Sequence, residues 1–135
     1  MSGKSPGRLQ IPQWAVVSRT VTAWDIARDE YDAETGRTRT DLTTAIIYFT
    51  VKNAAGTIVI AKDSNTPAEI TILSQLVAAT KGQAKIYFLE ADTSALVVGT
   101  DYWFDCWVAV DGKEEPIVDR GLFTICESIT QISVV

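Results

Sequence analysis

The sequence contains no histidine among its 135 residues. Histidine is the most common general base and a usual zinc ligand, so its absence excludes Ser-His-Asp and Cys-His catalytic arrangements. The phosphate-binding motifs G-x-x-x-x-G-K-[ST] and G-x-G-x-x-G are missing as well. Pairs of carboxylates could still serve glycoside hydrolysis, but none of the 17 acidic residues stands in a distinctive context. We therefore expect no enzymatic activity, no catalytic residues and no cofactor.

Positive charge is also scarce, since 12 basic residues against 17 acidic ones give a net charge of −5. Nucleic acids and anionic membranes attract proteins through concentrated Lys and Arg. Apolar runs such as Ala45–Phe49 are far shorter than the ~20 residues of a membrane-spanning helix. Met1–Gln13 lacks the apolar stretch of a signal peptide. These features predict no nucleic-acid or membrane partner, and a protein kept in the cytoplasm or carried in a particle assembled there.

Apolar and polar residues alternate along several short segments, which is typical of strands with one buried face. Polar turns such as Asp111-Gly112 separate these segments, and long amphipathic helices are missing. The pattern predicts an all-β fold, an immunoglobulin-like antiparallel β-sandwich of about seven strands rather than alternating strands and helices. The predicted strands are Trp14–Trp24, Thr44–Asn53, Thr57–Lys62, Ala68–Leu73, Ala84–Glu90, Tyr102–Val110 and Pro116–Ile125.

The chain length fits one domain, since domains cluster at roughly 100–150 residues. Met1–Gln13 is rich in Ser, Gly, Pro and Gln, and we expect a flexible or extended N-terminal arm there. Residues 14–135 then form a single β-sandwich domain. The alternation assigns six residues to its core: Ile47, Phe49, Ile86, Phe88, Phe104 and Val108.

Several segments between Asp41 and Gln131 resemble, in order and spacing, the motifs of a known family. They are Asp41–Ile47 followed by Phe49–Val51, then Ala91–Leu96, Tyr102–Asp105, Asp111-Gly112, Arg120–Ile125 and Ser128–Gln131. The corresponding family motifs are D-L-T-G-A-x-V-x-F-x-V, A-D-T-A-A-L, Y-x-W-D, D-G…G-x-V-T-V and D-V-T-R. The family comprises small immunoglobulin-like β-sandwich proteins of bacteriophage and prophage tails, baseplates and fibre attachment. The sequence departs from it at Thr44, where the family has glycine, and at Gln131, where it has arginine.

This resemblance implies a structural protein of a virion, assembled in the host bacterial cytoplasm. Such a protein works by docking onto other virion structural proteins, and we expect it to form a homo-oligomer in the assembled particle. The alternative is a module that binds host-surface carbohydrate through exposed tryptophans. The two differ in their partners, since a lectin-like module would bind glycans as a monomer.

An outward-facing apolar surface is the strongest interface candidate. The alternation of Tyr102–Val110 places Trp103 and Trp107 together on one face of the strand. The resemblance implies that this face points away from the core, because the family's core face includes the tyrosine and the second aromatic, and Leu122 is expected to point outward on the next strand. Tyr87, outward on its own strand, is expected to extend the same surface. Two tryptophans and a leucine on an outer face are typical of an interface. The alternative is that the N-terminal segment covers this face with Trp14 or Trp24.

The two cysteines fall on opposite faces of their strands by the same alternation, with Cys106 inside and Cys126 outside. A disulfide requires Cα atoms ~4.4–6.8 Å apart, which opposite faces do not allow. Cytoplasmic synthesis also disfavours a disulfide. We predict two free thiols.

One acidic cluster, Asp29, Glu30, Asp32 and Glu34, raises the possibility of calcium binding. Its spacing does not match D-x-[DN]-x-[DN]-G. We therefore expect a solvated loop and no metal site.

Overall fold

The structure, a computed structural model, describes residues 8–23, 40–110 and 112–127, with Asp119 described by its backbone alone. Its elements in chain order are β1 (Arg8–Pro12), β2 (Val17–Thr22), β3 (Ile46–Lys52), β4 (Ile58–Asp63), β5 (Ile70–Ile72), β6 (Gln83–Phe88), α1 (Glu90–Thr93), β7 (Asp101–Val110) and β8 (Lys113–Cys126). The helix is a single turn, and within these ranges no helix has the length and apolar character to span a bilayer.

The strands form two sheets, one of five strands in the order β1-β8-β7-β3-β4 and one of three in the order β2-β6-β5. Neighbouring strands are antiparallel except for β1, which runs parallel to β8. Buried residues from both sheets belong to one hydrophobic core. The predicted all-β class is confirmed, and two facing sheets agree with a sandwich architecture.

Each of the seven predicted strands has a counterpart in the structure, shifted by a few residues at its ends. The addition is β1, which lies inside the segment expected to be a flexible or extended arm. Arg8–Pro12 is extended and paired rather than flexible, with Leu9 and Ile11 facing inward and Ile11 fully buried. Pro12 is tolerated because β1 is an edge strand, where a missing N–H does little harm. Residues 1–7 lie outside the described ranges.

The core contains the six residues assigned to it from the sequence, and that prediction is confirmed. Its centre is a cluster of four phenylalanines drawn from both sheets. The ring centroid of Phe49 lies 5.5 Å from those of Phe88 and Phe104, and Phe88 lies 5.8 Å from Phe123. These separations are in the range of favourable aromatic pairs. Much of the packing between the two sheets is therefore made by these four large side chains.

The two open sides of the sandwich each hold an inward-pointing cation. Arg19 on β2 donates from Nη2 to the Gln10 carbonyl of β1 at 3.2 Å. Lys62 on β4 is buried, with Nζ 2.8 Å from Asp92 Oδ2 and 5.8 Å from the centroid of the Phe88 ring. Inward-pointing charges on edge strands disfavour pairing with another chain. Both cations also tie an edge of one sheet to residues outside that sheet.

The connection between the sheets around α1 is fixed by side-chain hydrogen bonds. Tyr102, at the start of β7, accepts a hydrogen bond at its hydroxyl from the Val97 N–H at 2.9 Å. Gln13 donates from Nε2 to the Leu96 carbonyl at 2.9 Å, and the Trp14 N–H donates to Thr93 Oγ1 at 2.8 Å. The link from β1 to β2 is therefore anchored to this corner.

Candidate interaction surface

The outer face of the five-stranded sheet carries large apolar and aromatic side chains on three adjacent strands. Odd-numbered residues of β7 point outward, so Trp103 and Trp107 lie on this face. The strand register places Leu122 of β8 opposite Trp103. It places Tyr48 of β3 opposite Trp107. We call Tyr48, Trp103, Trp107 and Leu122 the aromatic face.

Exposure is greatest at the Tyr48–Trp107 pair, where the two side chains are 41% and 37% exposed. Directly opposite residues on neighbouring strands have Cβ atoms about 4.5–5.5 Å apart, so these rings form one patch. Trp103 and Leu122 are half-buried further along the same face, separated from this pair by Thr50 and Asp105. Contiguous exposed apolar surface on a small protein commonly marks a contact site.

A groove of about 370 Å³ opens at the Trp103 end of the aromatic face. Its lining includes Thr50, Lys52, Asn53, Trp103, Asp105 and Arg120. The guanidinium carbon of Arg120 lies 4.2 Å from the centroid of the Trp103 ring, well within cation–π distance. Lys52 is exposed and lies opposite Trp103 on β3. The aromatic face thus has a cationic end.

Two irregularities of the backbone shape this groove. The register between β7 and β8 shifts on both sides of Cys106, next to the stretch of β8 that carries Arg120. On the other side, the turn from β3 to β4 is held by Asn53, whose Oδ1 accepts the N–H groups of Ala55 and Thr57 at 3.0 and 2.9 Å. Gly56 completes the turn at φ +86°, a left-handed conformation that favours glycine. The groove walls are therefore set by backbone geometry.

Tyr87 does not extend the aromatic face. It lies on β6, opposite Ser18 of β2, and β6 belongs to the three-stranded sheet. Tyr87 is half-buried while its chain neighbours Ile86 and Phe88 are buried, which agrees with the outward direction predicted for it. However, the face on which Tyr87 lies is the outer face of the three-stranded sheet. Alternation predicts the phase of the strand, whereas the sheet to which the strand belongs depends on pairing with distant strands.

Tyr48 and Arg120 belong to the surface but were not identified from the sequence. The alternation of β3 already directed Tyr48 outward, and what was missing was the pairing of β3 with β7. Arg120 reaches Trp103 because β8 is irregular, and no local sequence pattern marks that irregularity.

Trp14, which could have covered the aromatic face, lies elsewhere. It follows β1, its N–H binds Thr93 at the α1 corner, and its side chain is 46% exposed. Trp24 lies outside the described residues. Within the described ranges, Trp107 retains the exposure expected of a contact residue.

Cys106 and Cys126 are both free thiols, Cys106 buried and Cys126 half-buried. Cys106 lies opposite Val118, eight residues before Cys126 along β8. At about 3.3 Å per residue, that separation is roughly 26 Å, far beyond disulfide reach. Burial, with a smaller contribution from the Asp105 charge, raises the pKa of the Cys106 thiol to about 12. Cys106 therefore acts as a small apolar core residue.

No group of three or more Cys, Asp or Glu side chains suited to a metal ion occurs among the residues described. The acidic cluster from Asp29 to Glu34 lies outside them.

Comparison of the sequence with protein-family models and with curated proteins found no match.

Proposed function

We propose that this protein is a structural component of a bacteriophage or prophage virion, in the tail, baseplate or fibre attachment. It acts by docking the aromatic face onto other virion structural proteins, and copies of the chain associate in the assembled particle. The observation that carries the proposal is the Tyr48–Trp107 pair, exposed on the face of a rigid sheet.

An immunoglobulin-like topology is part of this proposal, and the strand order supports it. If β2 to β8 are lettered B, C, C′, D, E, F and G, the sheets have the orders B-E-D and G-F-C-C′. That arrangement is the one expected of an immunoglobulin-like sandwich with an added C′ strand. The hydrogen bond from the Val97 N–H to the Tyr102 hydroxyl, at the start of the F strand, corresponds to the tyrosine corner of such domains.

The motifs that resemble the phage family have structural tasks in this chain. Asp41 accepts hydrogen bonds from the Thr43 N–H and hydroxyl at 3.0 and 2.5 Å, which also lower the pKa of the Asp41 carboxyl. Leu42, between them, is buried. In the second motif, Asp92 pairs with Lys62 and accepts the Leu89 N–H at 2.7 Å. Motifs devoted to turns and packing agree with a structural protein.

Docking is the physical role that best fits the aromatic face. Trp, Tyr and Arg are enriched at interface hot spots because their large, semi-rigid side chains lose little conformational entropy on burial. Trp103, Trp107, Tyr48 and the stacked Arg120 combine these residue types on one surface. A sheet held by backbone hydrogen bonds presents them without reorganisation.

Carbohydrate binding is the second candidate, supported by the same exposed indole of Trp107. Sugar rings stack on free aromatic faces. Arg120 lies over the Trp103 ring at 4.2 Å, so a sugar would have to displace it from one side of that ring. This geometry favours docking over a two-tryptophan sugar platform.

The test compares Trp107→Asp with Leu76→Asp. Both add one carboxylate at an exposed apolar residue, and Leu76, 97% exposed, lies in the loop between β5 and β6 of the other sheet. Each variant replaces the wild-type protein in the producing bacterium, and its incorporation into purified particles is measured. Circular dichroism of the isolated variants verifies folding.

We expect Trp107→Asp to fold and to be lost from particles, because an unpaired carboxylate in an apolar contact is costly. Leu76→Asp should be incorporated normally. Normal incorporation of folded Trp107→Asp would contradict the proposal. A Trp107→Asp variant that assembles but loses binding to host glycans would favour the carbohydrate alternative.

A further inference from the structure

We propose that the groove beside Trp103 is a receptor for one carboxylate side chain, an Asp or Glu presented by the partner protein that docks on the aromatic face. The inference rests on the proposed docking function and specifies the chemistry of the partner at one end of the contact.

The groove is locally cationic on a chain whose net charge is −5. Lys52 and Arg120 contribute two positive charges to its lining, and Asp105 contributes one negative charge. Among the described lining residues the cations exceed the carboxylate by one, which suits a single carboxylate better than a phosphate, because a phosphate carries more negative charge at neutral pH. Electrostatic complementarity of this kind sets the orientation of a partner and speeds its encounter.

Arg120 is oriented for this role by Trp103. The guanidinium lies over the indole ring, which restricts the Arg120 side chain in the free protein. Less conformational entropy is therefore lost when the partner binds. Contact with the indole engages the charge of the guanidinium. Its five N–H donors remain suited to a bidentate contact with a carboxylate.

Asn53 supplies a further donor at the rim of the groove. Its Oδ1 accepts two N–H groups of its own turn, so the amide orientation is fixed. In the described part of the chain the Nδ2 group donates to no acceptor. An amide N–H₂ beside two cations is suited to a carboxylate oxygen, because it donates without adding charge.

The partner is a protein rather than a saccharide for two reasons. Arg120 occupies the Trp103 face on which a sugar ring would stack. The groove is also continuous with the aromatic face. Along the paired strands β3 and β7, the outward pair Lys52–Trp103 is followed by Thr50–Asp105 and then by Tyr48–Trp107. A docking protein would reach the patch and the groove with one surface.

The test is an NMR titration of the ¹⁵N-labelled protein with the tripeptide acetyl-Gly-Glu-Gly-amide. The matched probe is acetyl-Gly-Gln-Gly-amide, which has the same shape without the charge. The Trp103 indole N–H signal reports binding. The variants are Arg120→Gln, Arg120→Lys and the control Lys85→Gln, which removes a positive charge from the three-stranded sheet. Glucuronate and glucose are titrated in parallel.

We expect the Glu peptide to shift the Trp103 signal and the Gln peptide to bind at least about tenfold more weakly. Arg120→Gln should abolish this preference, Arg120→Lys should weaken it, and Lys85→Gln should retain it. Equal responses to the two peptides, or a preference that survives Arg120→Gln, would overturn the inference. So would binding of glucuronate and glucose without binding of the Glu peptide.

Particle incorporation separates failure of this inference from failure of the proposed function. If Trp107→Asp is lost from particles while Arg120→Gln enters at the wild-type level, docking stands and the carboxylate contact is overturned. If both variants enter normally, the proposed function fails and the groove has no docking role. Loss of both variants from particles supports the docking function and the carboxylate contact together.

Discussion

The outer faces of the two sheets differ in composition although both rest on one core. On the five-stranded sheet, the aromatic face places Tyr48 opposite Trp107 and Trp103 opposite Leu122. On the three-stranded sheet, Thr20 lies opposite Lys85, and Ser18 opposite Tyr87. The three-stranded sheet pairs its strands with this polar outer face, so strand pairing does not require an aromatic outer face. This difference is the reason for proposing a docking role for the five-stranded face.

The comparison assumes that both faces are supported by the same core, which a core truncation tests. Phe49→Ala or Phe104→Ala should lower the free energy of unfolding by about 3–5 kcal/mol, because each removes a buried ring from the four-phenylalanine cluster. Chemical denaturation measures the loss. A decrease below about 1 kcal/mol in both variants would contradict the assigned strand phases.

A smaller effect is expected where the edge of the five-stranded sheet meets α1. Asp92→Ala leaves the buried Lys62 ammonium without its carboxylate, and we expect a loss of about 2–4 kcal/mol. Lys62→Met should cost less, because Asp92 is the more exposed partner and still accepts the Leu89 N–H. Denaturation of the two variants side by side gives the order. The reverse order would mean that packing around the Lys62 stem, rather than its charge, holds this edge.

Labelling of the two cysteines tests which surfaces are inner and which are outer, and it needs no substitution that changes stability. Cys126 should react with a thiol reagent in the native protein, whereas Cys106 should react when the chain unfolds. The reason is that Cys106 is buried and its pKa of about 12 leaves little thiolate near pH 8. Mass spectrometry after timed labelling distinguishes the two sites. An intact mass lower by two hydrogens under non-reducing conditions, mapped to this pair, would show a disulfide instead.

Much of the architecture follows from alternation that is visible in the sequence. The segments around Phe49, Phe88 and Phe104 read as strands, and the inward positions predicted for them are buried. A period of two reports which side of a strand is buried, because successive side chains point to opposite faces. Alternation also grouped Trp103 and Trp107 on one face, and the family resemblance supplied the expectation that this face is the outer one, where the structure has it.

Strand neighbours were harder to predict, because they depend on contacts between distant parts of the chain. Tyr48 and Tyr87 have the same local signal, and pairing of β3 with β7 alone decides that Tyr48 joins Trp107. Strand β1 escaped detection because Leu9 and Ile11 stand in a polar, Pro-containing context. Its burial comes from parallel pairing with β8, a distant strand, and the local sequence does not indicate that pairing.

Hydroxyl-radical footprinting of the free protein and of the assembled particle tests the docking claim most directly. Exposed aromatic side chains are oxidised, and mass spectrometry locates the products. We predict that oxidation of Tyr48 and Trp107 falls several-fold in the particle while oxidation of Tyr87, on the opposite face, stays unchanged. Unchanged oxidation of Tyr48 and Trp107 together with protection of Tyr87 would contradict the account, because the contact would then lie on the three-stranded sheet.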